Sequence, residues 1–576
     1  MMDLKFADIV EANRQFGEQL PAQRFVIRVL SNVTVHPLKD ILEYTLRSEG
    51  IPAEVVLGAY DQIVQESASE SGRVQLLLWE AANLVNGLPH HIESMAADEI
   101  EALLHRVEQE IQYVAHNLRN AALVLWVSFC SYPFTVDNAG VQRYDEFVDQ
   151  CNRMLRASVS DNMRIIDAAK LYASLSLPAA IDWRGWYTAR ALYSISWFKA
   201  LAQMVQPWCN AITGRSAKVL LMDCDNTLWG GILGEDGEEN IQLDAGSYPG
   251  NVYNEIQERA RSLGRKGVLL GLCSKNNPAD VDEVLRNHPA MRLRDDDLSV
   301  KEVSWQAKHE SIARIANQLN LGSDSFVFLD DSSFELGLIV EKHPSVRVVQ
   351  VPSSAYQYPA VFRRMENEFL TLSVSDEDSK RKEQYKEEQL RHNEREQYSD
   401  LESYLRGLGI RLQVHRDNPR ILARMAQLTQ KSNQFNLTTR RYTEAEVQSI
   451  IADPDSAALA CSVSDKYGDS GITALALLRV HDTTMYIDSL LLSCRILGRN
   501  IELAFMYVIC ELALSWPVAI IEAEYRPTVK NVQVADFYER CGFSLISVDS
   551  DGNKRYVLEN ISERVQALDY IEVAYA

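Results

Sequence analysis

Short apolar runs alternate along this chain with segments of helical periodicity, and this alternation limits the folds open to it. In the first third of the chain the runs are FVIRVLS (25–31), AEVVLG (53–58), VQLLLW (74–79), ALVLWVS (122–128) and MRIIDA (163–168). Continuous apolar runs of this length are typical of strands buried on both faces. With helices between them, they predict a parallel βαβ sheet and an α/β domain over residues 1–210.

A second series of apolar runs has the same character and consists of KVLLM (218–222), VLLGLCS (268–274), FVFLDD (326–331) and VRVVQV (346–351). This series predicts a Rossmann-like α/β domain over residues 215–374. Residues 375–405 are dense in charge, with few apolar positions, and are predicted to form a solvated connector helix.

Beyond the connector the pattern changes. NPRILARMAQLTQ and IELAFMYVICELAL have helical periodicity, GITALALLRV and TTMYIDSLLL are predicted strands, and a last strand pair follows. This mixture predicts an α+β domain over residues 406–576. The 576 residues therefore form an α/β multidomain protein, since one hydrophobic core does not serve so long a chain.

Charge and cysteine content exclude several classes of function. The net charge is −22, so we expect neither nucleic acid nor an anionic membrane surface as a partner. The nine cysteines form no C-x-x-C pair, which favours reduced thiols over a disulfide framework or a zinc site. The N-terminus lacks the apolar core of a secretory signal and no apolar run reaches 18 residues, so we expect a cytoplasmic protein.

Two acids, Asp223 and Asp225, directly follow the first strand of the second domain in the run DCDNT (223–227). Ligands of open α/β sheets bind at the carboxyl ends of strands, where this run lies. Acidic turns also cap strands without any further role, so the pair alone decides nothing.

Three further features make the acids more informative. Ser274 ends the next apolar strand, Lys308 lies in a polar segment after it, and Asp330 and Asp331 end the strand FVFLDD. The resulting order along the chain is carboxylate pair, hydroxyl, ammonium, carboxylate pair. The central domain thereby resembles the haloacid dehalogenase-like (HAD) superfamily of phosphohydrolases.

The HAD resemblance implies a role for each of these acids. Asp223 would attack the phosphoryl group and form an aspartyl-phosphate, while Asp225 would protonate the leaving oxygen and then activate water. Mg²⁺ would offset the repulsion between these acids and the phosphate. Its ligands would be Asp223, the Asp225 carbonyl and the Asp330/Asp331 pair.

Substrate phosphoryl oxygens would be held by hydroxyl, amide and ammonium groups around the same strand ends. The candidates are Thr227, Ser274, Lys275, Asn276 and Lys308. The stretches after Asp223 and after Ser274 are too short for a large cap domain. An uncapped site suits the end of a long substrate, such as a group carried on a protein arm.

Longer motifs give a closer resemblance. DNTLWGGILGEDG, LCSKN, FVFLDDSSFE, LTQKSNQFNLTTRRYT, LLSCRILGRNIE and YRPTVKNVQVADFYERCGF, between about 215 and 560, resemble the FkbH-like family, the HAD-IIIC proteins with a C-terminal GNAT-like domain. VLSNVTVHPL and GAYDQIVQE resemble the SGNH-like N-terminal domain of its longer members. The resemblance implies a glyceryl-acyl carrier protein synthase of polyketide-type antibiotic biosynthesis. It would take D-1,3-bisphosphoglycerate, hold a glyceryl thioester, remove phosphate and load the phosphopantetheine arm of an acyl carrier protein.

A thiolate is a suitable nucleophile toward an acyl phosphate, and two cysteines are candidates. Cys494 follows an apolar strand, precedes a helix and has Arg495 and Arg499 nearby, a setting that favours a thiolate. Cys273 adjoins Ser274, and strand alternation predicts that it faces away from the site. Cys224 should likewise point away from Asp223. Each of these cysteines could instead be an ordinary core residue.

The C-terminal domain carries a signature of its own. Residues 495–500, RILGRN, resemble the coenzyme A pyrophosphate loop of GNAT acyltransferases, although Asn500 replaces the usual Gly or Ala. Asn531 and Tyr538 match positions at which GNAT domains commonly hold such residues. Such a domain could receive the arm of a carrier protein instead of coenzyme A.

A basic cluster in LTQKSNQFNLTTRRYT includes Lys431, Arg440 and Arg441. It could dock an acidic carrier protein, bind substrate phosphates together with Arg495, or form only a solvated face.

The N-terminal domain lacks the hydrolase motifs of its SGNH-like relatives. Ser31-Asn32 follows the first strand without a preceding Gly-Asp, and no Asp-x-x-His occurs late in the domain, His36 being close behind Ser31. We predict that the hydrolase triad is absent and that the domain serves docking, oligomerisation or a lid.

Three other functions compete with the synthase. They are a plain HAD phosphatase on a small metabolite, a GNAT-type acyltransferase using coenzyme A, and a non-catalytic assembly scaffold.

Overall fold

The computed structural model describes residues 4–69, 72–135, 140–372, 400–528, 530–564 and 567–576, together with seven residues between 384 and 398. The chain divides into two compact units, Met1–Ile212 and Thr213–Ala576.

The first unit is built on a parallel sheet of five strands in the order β2-β1-β3-β4-β5. All five runs predicted as strands form strands: β1 (Phe25–Ser31), β2 (Ala53–Leu57), β3 (Val74–Leu78), β4 (Leu123–Val127) and β5 (Met163–Ile166). The predicted βαβ organisation is therefore confirmed. Its helices are Phe6–Glu18, His36–Arg47, Ile63–Glu66, Leu88–His91, Ala97–Asn117, Arg143–Ala157, Ala168–Ser174, Leu177–Ala180, Trp183–Ala189 and Ile195–Ile212.

The second unit begins with another parallel sheet of five strands, in the order β10-β9-β6-β7-β8. Its strands are β6 (Val219–Met222), β7 (Leu269–Ser274), β8 (Val300–Val303), β9 (Phe326–Asp330) and β10 (Arg347–Gln350). Its helices are Leu233–Asp236, Gly250–Arg265, Pro278–Asn287, Lys308–Leu319, Ser333–Lys342 and Tyr358–Met365. Residues 223–249 hold one short helix and two isolated bridges, so no large cap domain follows β6.

A mixed sheet follows in the same unit, in the order β17-β18-β16-β15-β14-β13-β11-β19, with β12 paired to β15. Its strands are β11 (Ile410–Arg416), β12 (Phe435–Asn436), β13 (Ser456–Asp465), β14 (Gly468–His481), β15 (Thr484–Leu492), β16 (Ile520–Tyr525), β17 (Ser544–Val548), β18 (Lys554–Leu558) and β19 (Ile571–Tyr575). Its helices are Leu401–Leu408, Leu422–Lys431, Glu444–Ala452, Ile501–Ser515, Phe537–Arg540 and Ile561–Arg564. The α+β architecture is as predicted.

Most of the predicted connector, residues 375–405, lies outside the described residues. Within the described part of the chain, none of the helices has both the length and the apolar composition needed to cross a membrane.

The central sheet leaves no room for a side chain at Gly271. A Cβ atom there would lie 2.6 Å from Cγ1 of Val300 and 2.8 Å from Cδ2 of Leu221. We expect Gly271→Ala to lower the midpoint of thermal unfolding, because overpacking a core costs about 1–3 kcal/mol. Gly337→Ala is the matched control: that glycine lies in a helix with open space around it, so alanine should be neutral or stabilising. An unchanged midpoint in Gly271→Ala would contradict this packing.

Candidate active site

The acids of the central domain come together because they end neighbouring parallel strands. Asp223 directly follows β6, and its N–H donates to the Leu329 carbonyl at 3.0 Å, which extends the pairing of β6 with β9. Asp330 is the last residue of β9 and Asp331 follows it. One carboxylate oxygen from each of the three acids lies within 4.8 Å of the others. The carboxyl edge of this sheet therefore carries a compact set of oxygen ligands, which we call the carboxylate cluster.

Lys308, the first residue of the helix Lys308–Leu319, binds two members of the cluster. Its Nζ lies 3.1 Å from Oδ1 of Asp223 and 2.6 Å from Oδ2 of Asp330. All three side chains are at most 7% exposed. One ammonium group thus contacts two buried carboxylates, with the partly buried Asp331 beside them.

The three carboxylates of the cluster carry more negative charge than the single ammonium group of Lys308 can balance. Burial raises the pKa of Asp330, and the nearby Asp223 raises it further, against the opposing effect of Lys308. Burial and Asp223 raise the pKa of Asp331 as well. Burial acts to lower the pKa of Lys308, but the carboxylates of Asp223 and Asp330 outweigh it and raise that pKa. A divalent cation bound by oxygen ligands would supply the missing charge, so the residues fit a Mg²⁺ ion.

Asp225 is held apart from the cluster by three hydrogen bonds. Its Oδ1 accepts from Trp229 Nε1 and from the Leu233 N–H, both at 3.0 Å, and its Oδ2 accepts from Asn276 Nδ2 at 3.0 Å. Burial raises its pKa, with a smaller contribution from Asp223, in spite of these bonds. An upward shift of this pKa is in the direction that the general-acid role predicted for Asp225 requires. A metal contact through its carbonyl stays a prediction.

The predicted phosphoryl-binding residues lie around the same edge. Thr227 is fully buried, and its hydroxyl has no hydrogen-bond partner among the described residues. Ser274, the last residue of β7, is 3% exposed. The Asn276 side chain already donates a hydrogen bond to Asp225, and Lys275 forms a 2.6 Å ion pair with Glu335. Their roles toward a substrate stay predictions.

Sequence reasoning missed the residues that set the geometry of Asp225. Trp229 and the Leu233 N–H bind it after a tight turn in which Asn226 has φ of 52° and its Oδ1 accepts from the Gly231 N–H at 3.0 Å. The only signal was an asparagine four residues before a Gly-Gly pair, which is typical of a turn with left-handed backbone.

Cys494 lies at the opposite edge of the central sheet. Its carbonyl accepts from Asn320 Nδ2 at 3.1 Å, and its side chain packs on the core cluster that includes Val219 and Phe326, the first residues of β6 and β9. At about 3.3 Å per residue, the five residues from Lys218 to Asp223 span about 16 Å. Cys494 and the carboxylate cluster are therefore separate sites.

Cys494 lies between a strand and a helix, as predicted, but the helix does not follow at once. The residue begins the short 3₁₀ turn Cys494–Ile496, and the long helix starts at Ile501 behind Asn500, which has φ of 57°. The glycine and asparagine of RILGRN end the turn in left-handed backbone before the helix can begin.

The other two cysteines considered are core residues. Cys273 is fully buried, its thiol faces the Lys308 carbonyl at 3.7 Å, and burial raises its pKa. It belongs to the core cluster on one face of the sheet, while Leu270 and Leu272 belong to the cluster on the other. Cys224 is fully buried in the second of these clusters, and burial raises its pKa too.

The basic residues of the C-terminal domain bind groups of the chain itself. Arg440 forms an ion pair with Asp488. Arg441 donates to the carbonyls of Thr429 and Ser432, the latter at 2.8 Å. Arg495 donates from Nε to the Ser493 hydroxyl at 3.2 Å. Neither Arg440 nor Arg441 lines the space beside Cys494, whereas Arg495 does.

The residues at the GNAT-like positions also bind other groups of the chain. Arg499 is buried, pairs with Asp465 at 3.1 Å and donates to the Arg495 carbonyl. Asn531 is buried and its Nδ2 donates to the Asn436 carbonyl of β12 at 2.9 Å. Tyr538 is a core aromatic residue whose pKa is raised by burial.

In the first unit, Ser31, the residue at the place of a hydrolase serine, hydrogen-bonds to the nearby backbone. The Ser31 hydroxyl donates to the Val33 carbonyl at 2.9 Å, and Asn32 binds the backbone of Glu80 through both atoms of its amide. His36 begins the helix His36–Arg47.

Comparison with family models and with curated proteins gave no match. Among solved structures, the N-terminal part of the protein BF1531 from Bacteroides fragilis, containing a phosphatase domain and complexed with Mg, is similar to this chain. The TM-score is 0.57 at 22% identity, over 64% of this chain and 100% of that one. This likeness shows that the chain shares the fold of a phosphatase-domain protein.

Acetyltransferases were also among the similar solved structures. Aminoglycoside acetyltransferase AAC(6')-Ib in complex with coenzyme A matches with a TM-score of 0.20 at 18% identity, over 26% of this chain and 95% of that one. The ribosomal-protein-S18-alanine N-acetyltransferase from Escherichia coli matches with a TM-score of 0.21 at 14% identity, over 27% and 97%.

The raised carboxylate pKa values give a pH dependence to metal binding. In the metal-free protein they make the charged acids a destabilising feature, whose cost appears as pH rises through the folded-state pKa. We expect Mg²⁺ to raise the midpoint of thermal unfolding at neutral pH, and the increase to shrink on mild acidification, because protons compete for the same oxygens. Asp331→Asn should weaken the effect and the surface variant Asp244→Asn should not. A Mg²⁺ shift that is equal in Asp331→Asn and the parent protein would exclude the carboxylate cluster as its site.

Proposed function

We propose that this chain is a Mg²⁺-dependent phosphohydrolase of the HAD type that acts, with its C-terminal domain, as a glyceryl-acyl carrier protein synthase. The observation that carries the phosphohydrolase part is the carboxylate cluster with Lys308, at the carboxyl edge of a sheet whose fold is that of a phosphatase-domain protein. The acyl-transfer part rests on the motif resemblance and on the partial exposure of one cysteine, Cys494.

In the phosphohydrolase step, the Asp223 carboxylate attacks phosphorus in line with the ester oxygen. The P–O bond to that oxygen breaks, and Asp225, acting as the general acid, donates the proton that the leaving oxygen needs. Asp225 then takes a proton from water, which hydrolyses the aspartyl-phosphate. Lys308 and the buried Thr227 hydroxyl would bind phosphoryl oxygens. A bound Mg²⁺ ion would neutralise charge on the transferring phosphoryl group.

In the acyl step, the Cys494 thiolate attacks the C1 carbonyl of D-1,3-bisphosphoglycerate. The bond from that carbon to the phosphate oxygen breaks, inorganic phosphate leaves, and a thioester forms. The phosphopantetheine thiol of an acyl carrier protein then attacks the thioester and takes the acyl unit, which returns the thiolate. Cys494 suits this role because the structure describes all nine cysteines and the other eight are buried.

The distance between the two sites constrains the order of events. A three-carbon unit bound to Cys494 is too short to span the roughly 16 Å of strand to Asp223. Removal of the ester phosphate therefore takes place when the unit is not bound to Cys494, and a long carrier arm could bring it to the carboxylate cluster. The same separation favours one alternative, a phosphohydrolase of small metabolites in which Cys494 has no part.

The remaining elements of the proposal concern the setting. The SGNH-like first domain would serve docking, oligomerisation or a lid, with no hydrolase triad, and the enzyme would work in the cytoplasm in a polyketide-type pathway.

The nucleophile can be tested by phosphate release. Asp223→Asn should lower the rate of phosphate release from a phosphorylated substrate by about 10³-fold or more, because the amide cannot form the aspartyl-phosphate. Asp244→Asn, an exposed acid of the same domain, should retain full activity. Phosphate release at the parental rate by Asp223→Asn would remove it as the nucleophile.

The thioester can be tested by intact mass. Incubation with D-1,3-bisphosphoglycerate in EDTA should add a phosphoglyceryl mass to the enzyme, and Cys494→Ala should not acquire it. Cys273→Ala, which changes the other candidate, should acquire it as the parent does. Retention of the added mass by Cys494→Ala would refute this assignment and leave the plain phosphohydrolase.

A further inference from the structure

The exposed apolar side chains of the central domain collect at one edge of its sheet. Among residues 215–372, all of which the structure describes, six large apolar side chains are exposed, and five of them stand in segments that follow the carboxyl ends of strands. Single exposed apolar residues are ordinary, whereas a group of them marks a binding surface. We call these five residues the apolar collar, which consists of Ile232, Tyr248, Trp305, Phe334 and Tyr356.

Trp305 stands between two residues that contact the candidate active site. Its side chain is 73% exposed, more than that of any other described tryptophan. The preceding residue, Ser304, donates its N–H to the Ser274 carbonyl at 3.0 Å. Lys308, whose ammonium group contacts Asp223, follows three residues later and so lies within about 10 Å along the chain. The tryptophan is therefore held beside the carboxylate cluster.

Phe334 is held beside the cluster in a similar way. Its side chain is also 73% exposed, more than that of any other described phenylalanine. Ser332, two residues before it, donates its N–H to Oδ1 of Asp330 at 2.8 Å. Glu335, directly after it, forms the 2.6 Å ion pair with Lys275. Contacts on both sides of Phe334 thus fix its backbone to the site while its ring faces solvent.

The strand order places these two rings on either side of the nucleophile. β8, which Trp305 follows, lies two strands from β6 on one side, and β9, which Phe334 follows, lies directly beside β6 on the other. Asp223 directly follows β6. A chain attached to a phosphoryl group at Asp223 therefore has an exposed aromatic residue on each side.

Two tyrosines extend the collar on the side of Asp331. Burial raises the pKa of Tyr253, and the charges of Asp331 and Tyr248 add to this effect, so Tyr248 lies near both. Tyr356 is two residues before Tyr358, whose pKa is raised by burial and, to a smaller extent, by neighbouring charges that include Asp331. The collar thus continues beyond the two central rings.

The segment around Ile232 sets the charge beside the collar. Ile232 directly precedes Leu233, whose N–H binds Asp225, so this segment too is fixed to the site. Residues 226–250 contain no lysine or arginine, and all five of their acidic side chains are at least partly exposed. These acids disfavour a second anionic group next to the collar. They are Glu235, Asp236, Glu238, Glu239 and Asp244.

We propose that the apolar collar binds a neutral chain that continues from the phosphorylated carbon of the substrate. The site thereby selects phosphate esters of long neutral molecules over small phosphorylated acids. The proposal rests on the proposed phosphohydrolase and names its substrate class. Within the proposed function, the phosphoglyceryl unit loses its phosphate as a neutral thioester on the carrier arm and not as the free acid.

Phosphate release from three alkyl phosphates tests the proposal. Propyl phosphate, hexyl phosphate and 6-phosphonooxyhexanoate contain the same kind of ester and differ in chain length and terminal charge. With the full-length protein and Mg²⁺, we expect kcat/KM to be about tenfold higher for hexyl phosphate than for either other compound, because the collar buries the additional CH₂ groups and the acids repel the carboxylate. A hexyl phosphate value equal to either of the others would overturn the proposal.

Variants of the two central rings locate the effect. Trp305→Ala and Phe334→Ala should each lower the hexyl-to-propyl ratio of kcat/KM from about ten to about three, and Trp305→Phe should keep most of it. Both residues are exposed, so the midpoint of thermal unfolding should not change. Val340→Ala removes the sixth exposed apolar residue, which lies outside the collar, and should keep the parental ratio. A parental ratio in both alanine variants of the collar would overturn the assignment.

Binding to Asp223→Asn separates this proposal from the proposed function. If the parent protein released no phosphate from any of the three compounds, the phosphohydrolase would be overturned and the collar would be judged by affinity. Calorimetry with Asp223→Asn and Mg²⁺ should show hexyl phosphate binding about tenfold more tightly than propyl phosphate, and Trp305→Ala in that background should reduce the difference. Equal affinities for the two compounds would overturn the collar.

Discussion

The contact between the Lys308 ammonium and the carboxylates of Asp223 and Asp330 holds the candidate active site together. The two acids end adjacent parallel strands, so the fold itself forces their charges into proximity, and burial removes the water that would screen them. Lys308 comes from the helix that follows β8, so three separate elements meet at one ammonium group. One positive charge beside three carboxylates leaves an excess of negative charge that favours a divalent cation, and a bound cation would in turn let an anionic phosphoryl group approach the edge.

A parallel sheet has two chemically different edges, and in this protein they carry different groups. The carboxyl edge collects acids, while the amino edge, together with the C-terminal domain, lines the space beside Cys494. Under the proposed function, a substrate handled at both edges would have to be carried around the core of the sheet. The flexible arm of a carrier protein would meet that requirement, whereas a small free metabolite would need to dissociate and bind again.

Nine of the ten strands in the two parallel sheets could be predicted, because they appear as apolar runs. The sequence did not locate β8, whose four residues VKEV include two charged ones and of which only the first is buried. The mixed C-terminal sheet could be predicted only in part. Only four of its nine strands were foreseen, those of GITALALLRV, TTMYIDSLLL and a last pair. The alternating IRLQVHR of β11 is a weak signal, and β19 pairs with β11 across 161 residues of chain. The two-residue β12 is a strand because it pairs with β15, and the Asn531 side chain donates a hydrogen bond to the Asn436 carbonyl of β12.

The sequence by itself determined which residues stand at the strand ends, and hence the grouping of Asp223, Asp330 and Asp331, because strand direction and side-chain spacing are local properties. The tertiary structure alone decided which polar side chains already have partners within the chain. Arg440 and Arg499 find their carboxylates, Asp488 and Asp465, tens of residues away, and Cys494 lies at the amino edge because of a contact with Asn320, 174 residues before it. Such pairings depend on how domains pack, and no local pattern of residues encodes them.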